Sequence, residues 1–570
     1  MIRNIIITLL LGLSLLPAVA QDRTVKREVT LYNPYKPSLN ESKKRSFFPD
    51  MTDTAKFKPS FRYDVSTNPY MPVYTVSPIK AAVLQPDPLT KLYKSYVNLG
   101  LGSSTSPLAE ISITNERSKK GALGFYARHY SNNGNVKLQN DRKVFAGYMD
   151  NDASLFGKKF FKRNILGASL DVAQRTRHAY GYDTSIVNYA PTKKSNKLGY
   201  TNLGTTVSLA SINLDSASFS YDFNFRYNYF YNTRHLYQHN FVFDGIMAKT
   251  FRGFYAGSGI EFDYNKIPEG LLAYPKYVFT ISPFLKKNTP QWNFKLGFKA
   301  DLERNIEENA KPHFYPDLNF GFGIVPSYIY FFTSLTGHLE KNDPFKVIGE
   351  NPFVVPDGSL FTIPNTSHQI EVTAGFKGNT GLNGNYILSA SYSMVDNMLF
   401  YTNIVHPDTI FTPYRGNFFA PITDDVEVLN VHGGITGKIN DRLSFSGEAN
   451  YYQYTMTRFE YAWNKPSWDV TAGLKYNLRD KILAGIELTA LGKRTMVVNG
   501  ENIDIVKPED PVLTIGMPAH VNLNLSAEYR YSKILSFWAK LDNVSYRHYF
   551  EWAYYPSQQF LFMLGFTYSL

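Results

Sequence analysis

The sequence predicts an all-β protein, a closed transmembrane antiparallel barrel of about 22 strands, within a range of about 18 to 24. Three observations predict it. In one stretch the alternate residues Ala217, Phe219, Tyr221, Phe223, Phe225, Tyr227, Tyr229 and Tyr231 are apolar or aromatic. Between them stand Ser218, Ser220, Asp222, Asn224, Arg226, Asn228 and Phe230, nearly all polar. A strand sends successive side chains to opposite faces, so this one has a greasy face and a wet one. The second observation is recurrence, because the pattern returns in segment after segment as far as Leu570. The third is a secretion signal ahead of it. An apolar face toward lipid and a polar face toward the lumen are what an outer-membrane barrel requires.

The first element, residues 1–20, reads as a signal peptide. Arg3 supplies the positive charge, Ile5 to Leu16 the short apolar core, and Ala18-Val19-Ala20 the small-residue cleavage site before Gln21. The apolar run is too short to span a bilayer comfortably. The chain has no cysteine. That excludes a lipid-modified cysteine after the signal, disulfides, thiolate metal sites and cysteine nucleophiles.

The second element, residues 21–90, reads as an extended periplasmic segment. Pro34, Pro37, Pro49, Pro59, Pro69, Pro72, Pro78, Pro86 and Pro88 punctuate it, and alternation is absent. Proline cannot donate to a strand ladder and breaks helices. Tyr32, Phe47, Phe57, Phe61 and Tyr70 offer anchors, and Lys43-Lys44-Arg45 a basic cluster. Such a segment is expected to lie against the barrel lumen or a partner.

The third element, residues 91–570, is the barrel. Alternation starts near Tyr93-Ser95-Val97-Leu99-Leu101, with candidate strands from 92–103 through to 558–570. The weakest readings are 106–117, 152–161 and the region around 397–426. Two-residue turns are expected at Asp215-Ser216, Asn440-Asp441, Arg479-Asp480 and Ser532-Lys533, whose residue types suit tight hairpins. Long connectors are expected at 132–151, 177–199, 337–364, 397–426 and 493–517. Short turns at one end and long loops at the other match periplasmic turns and extracellular loops. Aromatic residues make up 16% of the chain, enough for girdles at both membrane interfaces. The mean hydropathy is slightly negative. In a barrel this follows from the wet lumen face and the polar loops.

The formal net charge is +12. Secretion argues against nucleic acid as the reason for it and favours either contact with membrane lipid and anionic lipopolysaccharide or a cation-lined lumen. Asp222, Arg226, Lys295, Lys299, Asp301, Glu448, Glu528 and Arg530 fall on the polar face and are expected to line the lumen. They would form a selectivity path or ordinary salt bridges of a porin-like wet lumen. His432 is expected on the same face. No H-E-x-x-H, EF-hand or Walker pattern occurs, so no catalytic, metal or cofactor site is expected. The aromatic run from Phe411 to Pro421 reads either as a loop folded inward or as a surface loop.

The last residues read Phe560-Leu561-Phe562-Met563-Leu564-Gly565-Phe566-Thr567-Tyr568-Ser569-Leu570. Gly565, Phe566, Tyr568 and Leu570 resemble the C-terminal signal that the outer-membrane assembly machinery reads, with Leu570 where phenylalanine is usual. The stretch from Ala519 through Leu541-Asp542-Asn543-Val544 to Tyr555-Pro556 resembles the end of TonB-dependent receptor barrels, with Gln558-Gln559 where Gly-Arg is common. That resemblance implies a 22-stranded outer-membrane barrel active in uptake. It departs at the N-terminus. The family carries a globular plug of over a hundred residues behind a TonB box. Here about 70 Pro-rich residues precede the first strand, and Thr24 to Thr30 matches the box poorly. The chain therefore resembles a plug-less relative of the Bacteroidota type. The alternative function is a non-transport subunit that scaffolds a complex, docking a periplasmic or lipoprotein partner through residues 21–90. A lumen this wide needs a seal. The candidates are the N-terminal segment, inward-folded loops or a separate protein, and the N-terminal segment is expected to do at least part.

Overall fold

The computed structural model describes residues 93–570, apart from 116–117, 183, 185–191, 195, 213–218, 269–274, 308, 356–357, 382, 405–417, 498–513, 546–548 and 559. The signal peptide, the segment 21–90, the Asp215-Ser216 turn and most of the run from Phe411 lie outside the described residues.

Alternation becomes ladder. One sheet of 22 strands runs from Ser95–Gly102 to Leu561–Ser569, and each strand pairs antiparallel with the next in chain order. The last strand then pairs with the first, Leu99 opposite Phe566 and Tyr96 opposite Ser569. The sheet thus closes on itself and leaves no edge, as a membrane-spanning sheet must. The segments 106–117 and 152–161 are strands, observed as Ser106–Thr114 and Tyr148–Phe160.

The register fixes which face each residue takes. Asn224 lies opposite Asp244, and Phe225 opposite Phe243. Carried strand by strand, the pairing keeps one face continuous around the whole ring. On one side stand large apolar side chains left exposed, among them Phe225, Leu296, Phe298 and Leu564. On the other, polar groups bond along the rows: Arg226 to Asp244 at 2.5 Å, Asn224 to Asp244 at 3.0 Å, Asn240 to Asp263 at 2.9 Å. The first side faces lipid and the second the lumen. Phe225 sits midway along Ser220–Asn232. A charge on the lipid face at that depth costs about 2–4 kcal/mol, and far less in the lumen. Phe225→Arg is therefore expected to impair assembly strongly and Asn224→Arg weakly, read by heat-modifiable gel mobility; equal impairment would show the faces to be misassigned.

The tight turns follow local chemistry. Arg479 and Asp480 both take positive φ, 53° and 55°, the type I′ geometry that suits strand twist. Asn440 Oδ1 accepts the backbone N–H groups of Arg442 and Leu443, each at 2.9 Å. Ser532 Oγ accepts the Leu535 N–H at 3.1 Å. These turns share one end of the barrel, and the long connectors share the other.

One expectation is corrected. The region 397–426 is not a long connector, because the strands extend as Asn385–Ile404 and Phe418–Lys438 beyond a bulge between Val395 and Met398. The alternation that marks the other strands is lost here for a physical reason. Leu399, Phe400 and Tyr401 are successive and all buried, so both faces of the raised hairpin are covered.

The seam of the barrel has its own fastening. Trp538, in Leu535–Asp542, lies in register with Gly565 and, one strand further, with Gly100. A Cβ at Gly565 would sit 2.3 Å from the Trp538 ring and 2.3 Å from the Leu99 carbonyl. A Cβ at Gly100 would sit 2.6 Å from the same ring. The indole therefore lies flat across the closing pair, and its Nε1–H donates to Asn98 Oδ1 at 2.8 Å.

Candidate functional site

The long connectors do not splay. They share one buried apolar cluster, which draws Val136 and Val144 from the connector after the third strand, Tyr180 from that after the fifth and Phe353 from that after the thirteenth. Phe419 joins it from the sixteenth strand, Met496 and Met517 from the connector after the nineteenth, and Tyr555 from that after the twenty-first. These attachment points run round the whole rim.

Three of them decide the geometry. The connectors that carry Tyr180, Phe353 and Tyr555 leave the rim six, eight and eight strands apart, close to a trisection of the circle. Their rings nevertheless touch. Phe353 stacks on Tyr555 with centroids 3.9 Å apart. Tyr180 meets Tyr555 edge-on at 4.9 Å and Phe353 at 5.9 Å. A ring of 22 strands, spaced about 4.8 Å and tilted about 40°, is about 40 Å across. Three points spread evenly round such a rim meet only over its middle. The connectors therefore form a cap across the mouth, and Tyr555 is its keystone, with no exposed surface.

Local sequence prepares each part. The final connector contains the hairpin Phe550–Trp552 with Tyr555–Pro556, turned by Tyr554 at φ 64°. Gly181 leaves room for the Tyr555 ring, which a Cβ there would approach to 2.5 Å. The helix Pro344–Glu350 is capped by Asp343, which accepts the Lys346 N–H at 2.8 Å, with Pro344 in the first turn. Beyond it Val354 bridges to Phe419, and Val355 N–H donates to the Phe419 carbonyl at 2.9 Å.

Polar ties hold the cap where water is excluded. Tyr180 hydroxyl donates to the Pro556 carbonyl at 2.9 Å, and Tyr401 hydroxyl to Glu350 at 2.9 Å. Arg494 reaches the Phe550 and Glu551 carbonyls at 2.6 and 2.9 Å. Burial pushes the Tyr180 and Tyr555 hydroxyls well above the ordinary phenol range, so both remain neutral. Lys276 and Lys341 fasten the connector to the wall, Lys276 at the Phe361 and Ile363 carbonyls and Lys341 at Asp263. A second cluster around Trp463 seats the connector 457–467 against Phe400 and Val426. There the fully buried Asp424 carboxylate accepts the N–H groups of Arg458 and Phe459 at 3.0 and 2.9 Å, with Arg458 Nε at 3.1 Å.

The residues singled out from sequence lie below the cap, on four strands, and do not converge. The register puts Asp222, Arg226, Lys295, Lys299, Asp301, Glu448, Glu528 and Arg530 all on the face opposite the exposed phenylalanines. Arg226 pairs with Asp244, Lys295 with Asp317 at 2.8 Å, and Arg530 with Glu528 at 3.2 Å. Glu448 lies 3.8 Å from His432, which also contacts Asn450 at 2.8 Å. Asp222 accepts from Asn224 at 3.4 Å, Lys299 sits opposite Tyr315, and Asp301 is buried opposite Thr280 and His313. At the C-terminus Phe566 and Tyr568 face lipid while Gly565 faces the lumen beneath Trp538. Leu570 exchanges both backbone bonds with Ser95 at 2.9 Å.

Sequence reasoning named inward-folded loops among the candidate seals but did not find which residues meet in the cap. Its aromatics sit in connectors with no period to reveal their partners. The one available signal was compositional, since large aromatics and Pro cluster at 550–556 and 411–421 in segments that would otherwise be polar loop.

Fold and mouth together define a class, a closed 22-stranded antiparallel barrel of outer-membrane type with its long connectors packed across one end. Solved structures share this barrel. The barrel superposes on the FrpB iron transporter from Neisseria meningitidis with a TM-score of 0.65 and 10% identity, over 85% of this chain and 82% of that one. The ferric enterobactin receptor PfeA from Pseudomonas aeruginosa gives 0.59 and 11%, over 84% and 80%. The siderophore receptor PiuA from Acinetobacter baumannii gives 0.58 and 13%, over 84% and 82%. At these identities the likeness is one of fold. No protein-family model matches the sequence, and no curated protein matches it.

Proposed function

We propose that this chain passes a solute across the outer membrane through a lumen gated at its outer end by the loop cap, as a relative of TonB-dependent receptors that lacks their plug. One observation carries the reading: three aromatic rings from evenly spaced points of the rim meet over the centre of a charge-lined lumen. No covalent bond joins these connectors, so packing and hydrogen bonds hold the cap, and both can be released by a ligand that binds the open form better. The lumen-face charges then act as the path a solute follows once the cap parts. Residues 21–90 enter the lumen from the periplasmic end or dock a periplasmic or lipoprotein partner there.

The size of the buried cap core favours a second reading, a permanently closed barrel that scaffolds an outer-membrane complex. Liposome swelling separates the two. The transport reading expects no sugar entry through the full chain and entry once the cap is loosened at Tyr555. Deletion of residues 22–88 in the same liposomes reports whether that segment adds a second seal. Silence in every form, including the doubly altered one, would leave the scaffold reading standing and remove the transport one.

A further inference from the structure

The lipid-facing wall of the first strands carries an anomaly. Leu99, Ala109, His129, Asn151, Gln174, Thr201 and Tyr231 are successive partners along one row of the ladder, all on the face that also bears Leu101 and Phe125. A lipid-facing row is expected to be apolar. Here four members in sequence are polar. The first three are also joined. Ser131 Oγ contacts His129 Nε2 at 3.2 Å, His129 Nδ1 contacts Asn151 Oδ1 at 2.6 Å, and Asn151 Nδ2 donates to Gln174 Oε1 at 2.8 Å. The relay ends on the Gln174 amide NH₂. A polar side chain kept on a membrane face marks a functional site unless its groups are otherwise satisfied.

The same wall is concave. Ala109, Ala127 and Ala153 form a floor of small residues between the taller Leu99 and Leu203. The groove encloses about 640 Å³, within the ~300–1,000 Å³ of ligand sites. Polarity changes along its length. His129, Asn151 and Gln174 lie toward the capped end, and the next row inward is Val97, Ile111, Ala127, Ala153, Val172 and Leu203. Glu110, Arg128 and Asp152 border the groove, but the register turns them to the lumen. The side chains facing the groove include no Lys, Arg, Asp or Glu.

We propose that this groove binds one outer-leaflet glycolipid of the lipid A class by an amide-linked, hydroxylated acyl chain. The inference rests on the outer-membrane reading of the barrel. The apolar floor takes the chain, and the polar row above it takes the linkage. The gradient matches the orientation of a lipid in the outer leaflet, with its linkage outward and its chain toward the mid-plane. The absence of charged side chains facing the groove excludes phosphate as the recognised group. A row offering both carbonyl and N–H groups fits an amide and a hydroxyl, each able to donate and accept. Phospholipid esters only accept.

Native mass spectrometry of the full chain in neutral detergent tests this, with rough lipopolysaccharide and phosphatidylethanolamine offered at equal concentration. One glycolipid is expected on the wild-type barrel. Ala153→Phe, which fills the floor, and Gln174→Leu, which removes the terminal donor, are each expected to lower that adduct about fivefold or more, the scale of losing a site-defining contact. Heat-modifiable mobility checks that both variants remain folded, and Gln174→Leu keeps the test open should Ala153→Phe fail to assemble. Leu296→Phe, on a distant part of the same apolar face, is expected to leave the adduct unchanged. Equal adducts in wild type and both variants, a preference for phosphatidylethanolamine, or no lipid adduct at all would overturn the proposal. Each of those outcomes leaves the folded barrel, and so the proposed transport role, untouched.

Discussion

Tyr555→Ala is expected to turn a barrel that passes no ions into one that conducts. Tyr555 is wholly buried and touches both Phe353 and Tyr180, the rings from the other two sides of the rim. Deleting a buried aromatic side chain costs about 3–5 kcal/mol, because the contacts and the transfer energy are lost and a cavity remains. That cost falls on the cap alone. The 22-stranded ladder below uses none of these contacts, so assembly and heat-modifiable mobility should stay as in the wild type. A cap held by packing among separate connectors has local stability below that of the barrel. A loss of this size is therefore enough to populate open forms. Planar-bilayer recordings of purified protein measure it directly. A wild type that already conducts would show that the cap does not seal. A variant as silent as the wild type, with residues 22–88 also deleted, would show that releasing the keystone opens no path.

Gly565→Ala is expected to weaken closure of the barrel at the seam between its last and first strands. The new Cβ meets the Trp538 ring and the Leu99 carbonyl, each at 2.3 Å. The first neighbour is a side chain and can rotate away. The second is backbone of the first strand, and moving it opens the seam. Overpacking of this kind costs about 1–3 kcal/mol. Displacing Trp538 also strains its bond to Asn98. Trp538→Ala alone removes the indole and that bond, at about 3–5 kcal/mol for a large buried aromatic. The two changes should not add, because in the Gly565→Ala background the ring has already been pushed from its seat. The temperature at which the folded band converts to the unfolded band on a gel reads each variant. Gly565→Ala melting with the wild type, or strict additivity of the pair, would refute this role of Trp538 at the seam. The glycine thus gains a physical reason beside its place in a recognition signal.

Most of the barrel was legible because its rule is local. Period two needs only neighbouring residues. Trp292, Phe294, Leu296 and Phe298 announce a lipid face without reference to any other strand, and Asn293, Lys295 and Gly297 a lumen face. Tight turns were legible for the same reason, since Arg479-Asp480 and Asn440-Asp441 carry their own side-chain chemistry. Legibility failed where the period fails. Beyond Val395 both faces of the strand are covered, so Leu399-Phe400-Tyr401 shows no alternation and the segment read as a loop. The polar row His129, Asn151 and Gln174 was invisible because its members lie on three strands and each looks like an ordinary polar residue alone.

The sequence by itself determined an all-β chain, a strand number within about 18 to 24, which residues share a face and which end carries the long connectors. It did so because a strand's faces and a hairpin's turn are set by residues one or two positions apart. Only the tertiary structure decided that Tyr180, Phe353 and Tyr555 meet, that Trp538 lies over Gly565 and Gly100, and that a polar groove opens toward lipid. Those contacts join residues far apart in the chain, brought together by closing the ring. No local pattern encodes them, because their partner is fixed by how many strands stand between and not by what stands beside them.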